Sequence, residues 1–155
     1  RVRSSAASDV YKRQSQNRPA EAREHVRRFH ELFFGLSPQK DAIEHNINRA
    51  LQLADRSAYH YYVDFAEKGY YNRLVSGNIN QVVHVDSVVC DFSGYPYKAV
   101  THARQLIIRE SNVTERSLVT SCELQNASRS DDNPNGFIIE HLVILENRDI
   151  RSVER

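Results

Sequence analysis

Glycine is scarce in this chain, with five in 155 residues. None falls in a GxxxxGK(S/T) loop or a GxGxxG turn, so nucleotide binding by either phosphate cradle is excluded. Cysteine is scarcer still: Cys90 and Cys122 form no CxxC pair and no zinc pattern. Long apolar runs are missing too, and nothing approaches the ~18 residues a membrane span requires. Residues 2–8 carry charge with no apolar stretch behind it, so no secretory signal is read there. No GxSxG elbow is present, and neither cysteine sits in a catalytic context.

What the sequence does have is one strongly written turn. In Asn133-Pro134-Asn135-Gly136 the proline fixes its own φ, and Asn-Gly takes positive φ at little cost. A polar approach, Ser128 to Asp132, leads into it. The β-branched and apolar run from Phe137 to Glu146 follows and reads as a strand entering a core. The turn is thus expected as an exposed, rigid loop at one end of a sheet.

Residues 6–14 read like translated adapter sequence, so residues 1–14 are set aside as a non-native leader and 15–155 are taken as one domain. The leader holds Arg1, Arg3, Lys12 and Arg13 against Asp9. Without it, 17 basic residues face 19 acidic ones, a net charge of −2. No whole-domain field recruits nucleic acid. Arg18, Arg23, Arg27 and Arg28 do cluster, but Glu21, Glu24 and Glu31 interleave with them as on a solvated, ion-paired helix face.

From Asn17 the apolar residues Ala22, Val26, Phe29, Phe33 and Leu36 recur at spacings of three and four, which predicts a helix capped by Asn17 with Pro19 in its first turn. Ser37-Pro38 starts a second helix, with Ile43, Ile47, Ala50, Leu51 and Ala54 on its buried face. A third starts near Ser57 and stops at Gly69. After Gly77 the period turns to two. Strands are expected at 82–90, 97–109, 113–124 and 137–146, joined by short turns into an antiparallel meander. Helices first and strands after define an α+β fold, with the helices on one face of a curved four-stranded sheet.

If those turns centre near Gly94 and Asn112, Cys90 faces Ala99 and Cys122 faces His102. The thiols then flank one strand about 10 Å apart at ~4.8 Å per strand, too far for a disulfide. Free thiols are expected.

The seven histidines offer no HxxxH or HExxH, and His25 and His30 lie on different helical faces, so no metal and no cofactor is expected. His84, His102 and His141 fall on three strands and could line one face. Tyr59, Tyr61, Tyr62, Tyr70, Tyr71 and Phe65 form the densest cluster. Tyr59 and Tyr62 share a helical face while Tyr61 and Phe65 point elsewhere, a split that serves both core and partner surface. Two glycosylation triplets, at Asn112 and Asn126, matter only in a eukaryotic secretory setting that nothing else supports.

Residues 25–34, 46–51, 69–73, 77–80, 85–90, 108–116 and 150–155, with Asn133-Pro134-Asn135-Gly136 as an NPxG motif, resemble the TraK proteins of Bacteroides-type conjugative transposons. Those are similar to the eighth VirB component of type IV secretion systems, and the resemblance spans nearly everything from Gln16 onward. It implies a nuclear-transport-factor-like (cystatin-like) cone on the periplasmic side of the bacterial inner membrane, carried by one N-terminal membrane helix absent from this soluble fragment. It implies a non-enzymatic assembly factor that self-associates as a dimer or higher oligomer and contacts other channel subunits during DNA transfer. Asn133, Pro134 and Gly136 carry over as a contact loop, with Tyr61 and Phe65 as further contact candidates. No catalytic residue carries over.

Two rival readings are defined by residues. A small cone-fold enzyme would use Asp86, His84, His102 and the Tyr59–Tyr62 cluster as an interior acid–base set; against it, Phe29, Phe33 and Ile47 are expected to fill that interior. Direct single-strand DNA binding would use the Arg and Tyr content, and the net charge opposes it.

Overall fold

The structure, a computed structural model, describes residues 2–155, with side chains from Asn17 onward. The side chains of the expected leader, residues 1–14, lie outside the described residues. Four helices lead: α1 (Val2–Phe34), α2 (Lys40–Leu51), α3 (Arg56–Glu67) and α4 (Tyr70–Ser76). Five strands follow: β1 (Asn80–Asp91), β2 (Tyr97–Ile108), β3 (Asn112–Asn126), β4 (Phe137–Glu146) and β5 (Asp149–Glu154).

Asn17 is not a cap. Helix α1 runs through Asn17 and Pro19, because proline there forfeits a single backbone donor and no glycine precedes it. The predicted stripe is nonetheless the buried one: Ala22, Val26, Phe29, Phe33 and Leu36 all lie in the core. Helix α2 begins at Lys40 rather than at Pro38, with Gln39 extended at its N-cap and Ile43, Ile47 and Ala50 buried. Helix α3 is capped by Asp55, whose carboxylate accepts the Ser57 N–H at 2.9 Å. Gly69, at φ 76°, ends that helix as expected and at once starts a fourth that periodicity did not show.

The sheet is antiparallel in the order β1-β2-β3-β4, and β5 is a fifth strand beyond the four expected. Strand β3 is long enough to hold two neighbours on one edge. Its second half pairs with β4 and its first half, Asn112 to Arg116, with β5. Between them Asn147 donates to Gln105 Oε1 at 2.7 Å and to the Ser117 carbonyl at 2.9 Å, while Ser117 N–H donates to Arg148 O.

The helices cover the concave face. Phe29, Phe33 and Phe34 form a contiguous aromatic group, and Ile47, Leu118, Leu124, Phe137 and Ile139 complete the interior around it. The cone is therefore filled by hydrophobic side chains, as anticipated. His25 and His30, on different helical faces, are both buried because α1 is enclosed on more than one side. His30 Nδ1–H donates to Val26 O, which leaves Nε2 to accept from the Thr120 hydroxyl, both at 2.7 Å. Burial holds His30 neutral, its pKa lowered to about 4.

Cys90 does face Ala99, but Cys122 faces Ala99 as well, not His102. The β2–β3 turn is tighter than assumed, with Ile108 opposite Val113, and the register shifts by three residues. Both thiols are free, and burial raises both pKa values, that of Cys122 to about 12.

Candidate interaction site at the Asn133–Gly136 loop

The loop between β3 and β4 is built around Asn133, which is only 6% exposed. Its amide donates to Phe137 O at 2.7 Å, and its Oδ1 accepts from Gly136 N–H at 3.1 Å and Phe137 N–H at 3.4 Å. Its backbone exchanges two bonds of 3.1 Å with Ser130. Asn133 is thus turned inward as the lock of the turn. Pro134 is the exposed tip. Gly136 sits at φ 69°, while Asn135 keeps a negative φ. A Cβ on Gly136 would stand 2.8 Å from the Ala127 carbonyl and 2.9 Å from Arg129 Cγ, so glycine is required on two counts.

Helix α1 straps this loop from outside. The Arg18 guanidinium donates to Asn135 O at 2.7 Å, Gly136 O at 3.0 Å, Asn126 Oδ1 at 2.6 Å and Glu21 Oε2 at 2.9 Å. Its carbon lies 3.7 Å above the centre of the Phe137 ring. Arg129 adds a second tie, pairing with Glu21 at 2.7 Å. Burial works to raise the Glu21 pKa, yet the two arginines outweigh it and hold the carboxyl below its usual range. Beside the loop a small cleft of about 150 Å³ is lined by Arg28, Arg49, Asp131, Asp132 and Pro134. The interleaved arginines and glutamates of α1 pointed to ion pairing along the helix, of which Arg18–Glu21 is one case, and gave no signal for the other Arg18 partners, which lie more than 100 residues away.

Tyr61 and Phe65 lie on α3, half-buried and stacked with ring centres 6.1 Å apart. The Tyr61 hydroxyl accepts the Ile144 N–H at 3.0 Å, and the Ser57 hydroxyl accepts that of Leu142 at 2.8 Å. Both close the free edge of β4. They are a different surface from the Asn133–Gly136 loop. Tyr59, at 51% exposed, is the open member of the tyrosine cluster.

The acid–base set of the rival reading is not assembled in the interior. Asp86, His84 and His102 come together on the outward face of the sheet, where Arg104 grips Asp86 with two bonds of 3.0 Å and lowers its pKa. Tyr59 and Tyr62 stand apart on α3. The cause is strand alternation: His84 and Asp86 share the exposed side of β1, and His102 and Arg104 share that of β2. Among the described residues, Glu123, Glu140 and His141 form the one group that could hold a metal ion, their ligand atoms within 4.8 Å of one another. His141 is exposed and already bonded to Glu123 at 3.0 Å, which raises its pKa. No described helix is long and apolar enough to cross a membrane.

The sequence matches no protein-family model and no curated protein. Solved structures do match. The soluble domain of TrwG, type IV secretion machinery from Bartonella grahamii, superposes with a TM-score of 0.62 at 14% identity, over 81% of this chain and 92% of that one. CagV of Helicobacter pylori, a VirB8 homologue of the type IV secretion system, gives 0.60 at 14% identity over 85% and 99%. A TraE protein in complex with 2-(2-furyl)isonicotinic acid gives 0.64 at 10% identity over 79% and 92%. At these identities the likeness shows the fold. This chain has the α+β, nuclear-transport-factor-like cone of VirB8 homologues.

Proposed function

We propose that this chain is the periplasmic domain of a non-enzymatic assembly subunit of a type IV secretion apparatus of the conjugative, TraK-like kind. Residues 15–155 form that domain, and a membrane helix ahead of it anchors the parent protein in the bacterial inner membrane. The subunit self-associates and touches other channel subunits during DNA transfer. Asn133, Pro134 and Gly136 supply one contact loop and Tyr61 with Phe65 a second contact surface.

The observation that carries this reading is the loop itself. Its tip, Pro134, is exposed on a turn already fixed by Asn133 and clamped by Arg18. A surface ordered before binding loses little conformational entropy when a partner docks. Its setting on a cone shared with TrwG and CagV supports a secretion role. The interior, packed with phenylalanine, leaves recognition to the outside.

Sedimentation of the domain alone and with candidate channel subunits tests it. Pro134→Glu and Phe65→Ala are expected to lower association at least tenfold while circular dichroism stays unchanged. Unaltered self-association and partner capture in both variants would reduce the loop to a simple turn.

A further inference from the structure

A second region of the molecule carries chemistry that the proposed role does not use. Between α4 and the adjoining ends of β1, β2 and β3 lies a cleft of about 470 Å³, inside the roughly 300–1,000 Å³ typical of small-molecule sites. Three arginines line it, each from a different segment: Arg73 from α4, Arg109 from the β2–β3 turn and Arg116 from β3.

Their partners leave positive charge in excess. Arg73 donates to the Lys68 carbonyl at 2.7 Å, and Arg109 to Thr114 Oγ1 at 2.9 Å and Asn112 Oδ1 at 3.4 Å, all neutral acceptors. Arg116 donates through Nε to Asp149 at 2.7 Å. Among the described residues Asp149 is the only carboxylate paired with any of the three. Three guanidiniums around one cleft repel one another unless an anion joins them.

The floor is held firmly. The Tyr70 hydroxyl donates to Gln81 Oε1, and Gln81 Nε2 donates to Phe34 O at 2.7 Å. Burial raises the Tyr70 pKa while Arg116, Arg73 and Arg109 all pull it down, so all three charges reach that phenol. Leu74 and Ile107, both buried, give the cleft an apolar wall.

We propose that this cleft binds a small organic acid, its carboxylate or phosphate seated between Arg109 and Arg116 and its apolar body lying against Leu74 and Ile107. The planar fork of arginine matches either oxyanion with two parallel hydrogen bonds. Arg116 keeps its terminal nitrogens for this, since Asp149 takes Nε. Arg73, exposed at the rim, supplies attraction during entry. The inference is independent of the secretion reading and stands or falls without it.

The test is titration of the isotope-labelled chain with benzoate and with phenyl phosphate, followed by amide chemical shifts. Saturable shifts are expected at Tyr70, Arg73, Ile107 and Arg109, with whichever ligand binds more tightly identifying the oxyanion. Arg109→Gln and Arg116→Gln should each weaken binding at least tenfold, and Arg104→Gln on the outward face should change it less than twofold. Should Arg116→Gln unfold β5, Arg73→Gln replaces it, since Arg73 pairs with no carboxylate, and a loss of at least threefold is expected. The proposal is overturned if neither ligand saturates by about 10 mM, tenfold above a 1 mM dissociation constant. It is equally overturned if the arginine variants bind as the parent does, or if chloride at equal concentration reproduces the shifts.

Discussion

Arginine does opposite work in two regions of this molecule. At the β3–β4 loop, Arg18 commits both terminal nitrogens to four acceptors and its plane to the face of Phe137. In the cleft under α4, Arg73 and Arg109 hold only neutral acceptors, and only Arg116 is paired with a carboxylate, Asp149. The first arrangement is a strap and the second a receptor. Residue type alone does not separate them; the number and charge of the acceptors within reach do.

The largest test of the strap is Gly136→Ala. Positive φ and a collision with the Ala127 carbonyl should cost about 3–4 kcal/mol, read as a fall in the urea midpoint. A loss below about 1 kcal/mol would mean the loop yields and is not preset.

Acid probes the packing behind the strap. His30 stays neutral in the fold, so between its ordinary pKa near 6.5 and about 4 the unfolded chain binds the extra proton. Stability is therefore full above that window and falls as pH drops through it, by roughly 3 kcal/mol. His25, lowered in the same direction by burial, adds to the slope. His141 runs the other way, its raised pKa favouring the fold below that value, but it is fully exposed and solvent leaves it little influence. Urea midpoints from pH 8 to 4 measure the sum, and a flat profile would break the assignment.

Arg18→Ala against Arg73→Ala sharpens the comparison directly. The first should lose about 2 kcal/mol and the second under about 0.5 kcal/mol. Equal losses would erase the distinction between strap and receptor. One further substitution is expected to give a gain. Thr101 Oγ1 is buried with no partner among the described residues, so Thr101→Val should stabilise by about 1 kcal/mol, seen as a raised melting temperature.

Periodic burial was legible in the sequence, and contacts without period were not. The bounds of β4, Phe137 to Glu146, and the buried faces of α1 and α2 follow from spacing alone. Strand β5 was missed because all six of its residues are exposed, so no alternation marks it. Helix α4 was missed because it is a seven-residue piece between Gly69 and Gly77. The NPNG motif announced a turn, but not that Asn133 faces inward, since its acceptor and donors belong to the strand it introduces. The charged cleft was invisible for a simpler reason: Arg73, Arg109 and Arg116 are scattered in sequence and meet only when three elements end at one place.

The divided edge of β3 has a mechanical consequence. Tension applied at Arg155 loads the five β3–β5 pairs one after another, starting at Asn112–Glu154, so this flap peels at low force. The crack then meets Arg148, whose carbonyl accepts the Ser117 N–H, and Asn147, tied to both Gln105 and Ser117, and must break those bonds before it reaches β4. A pull from that side thus meets a crack stop of backbone and side-chain bonds ahead of the aromatic interior.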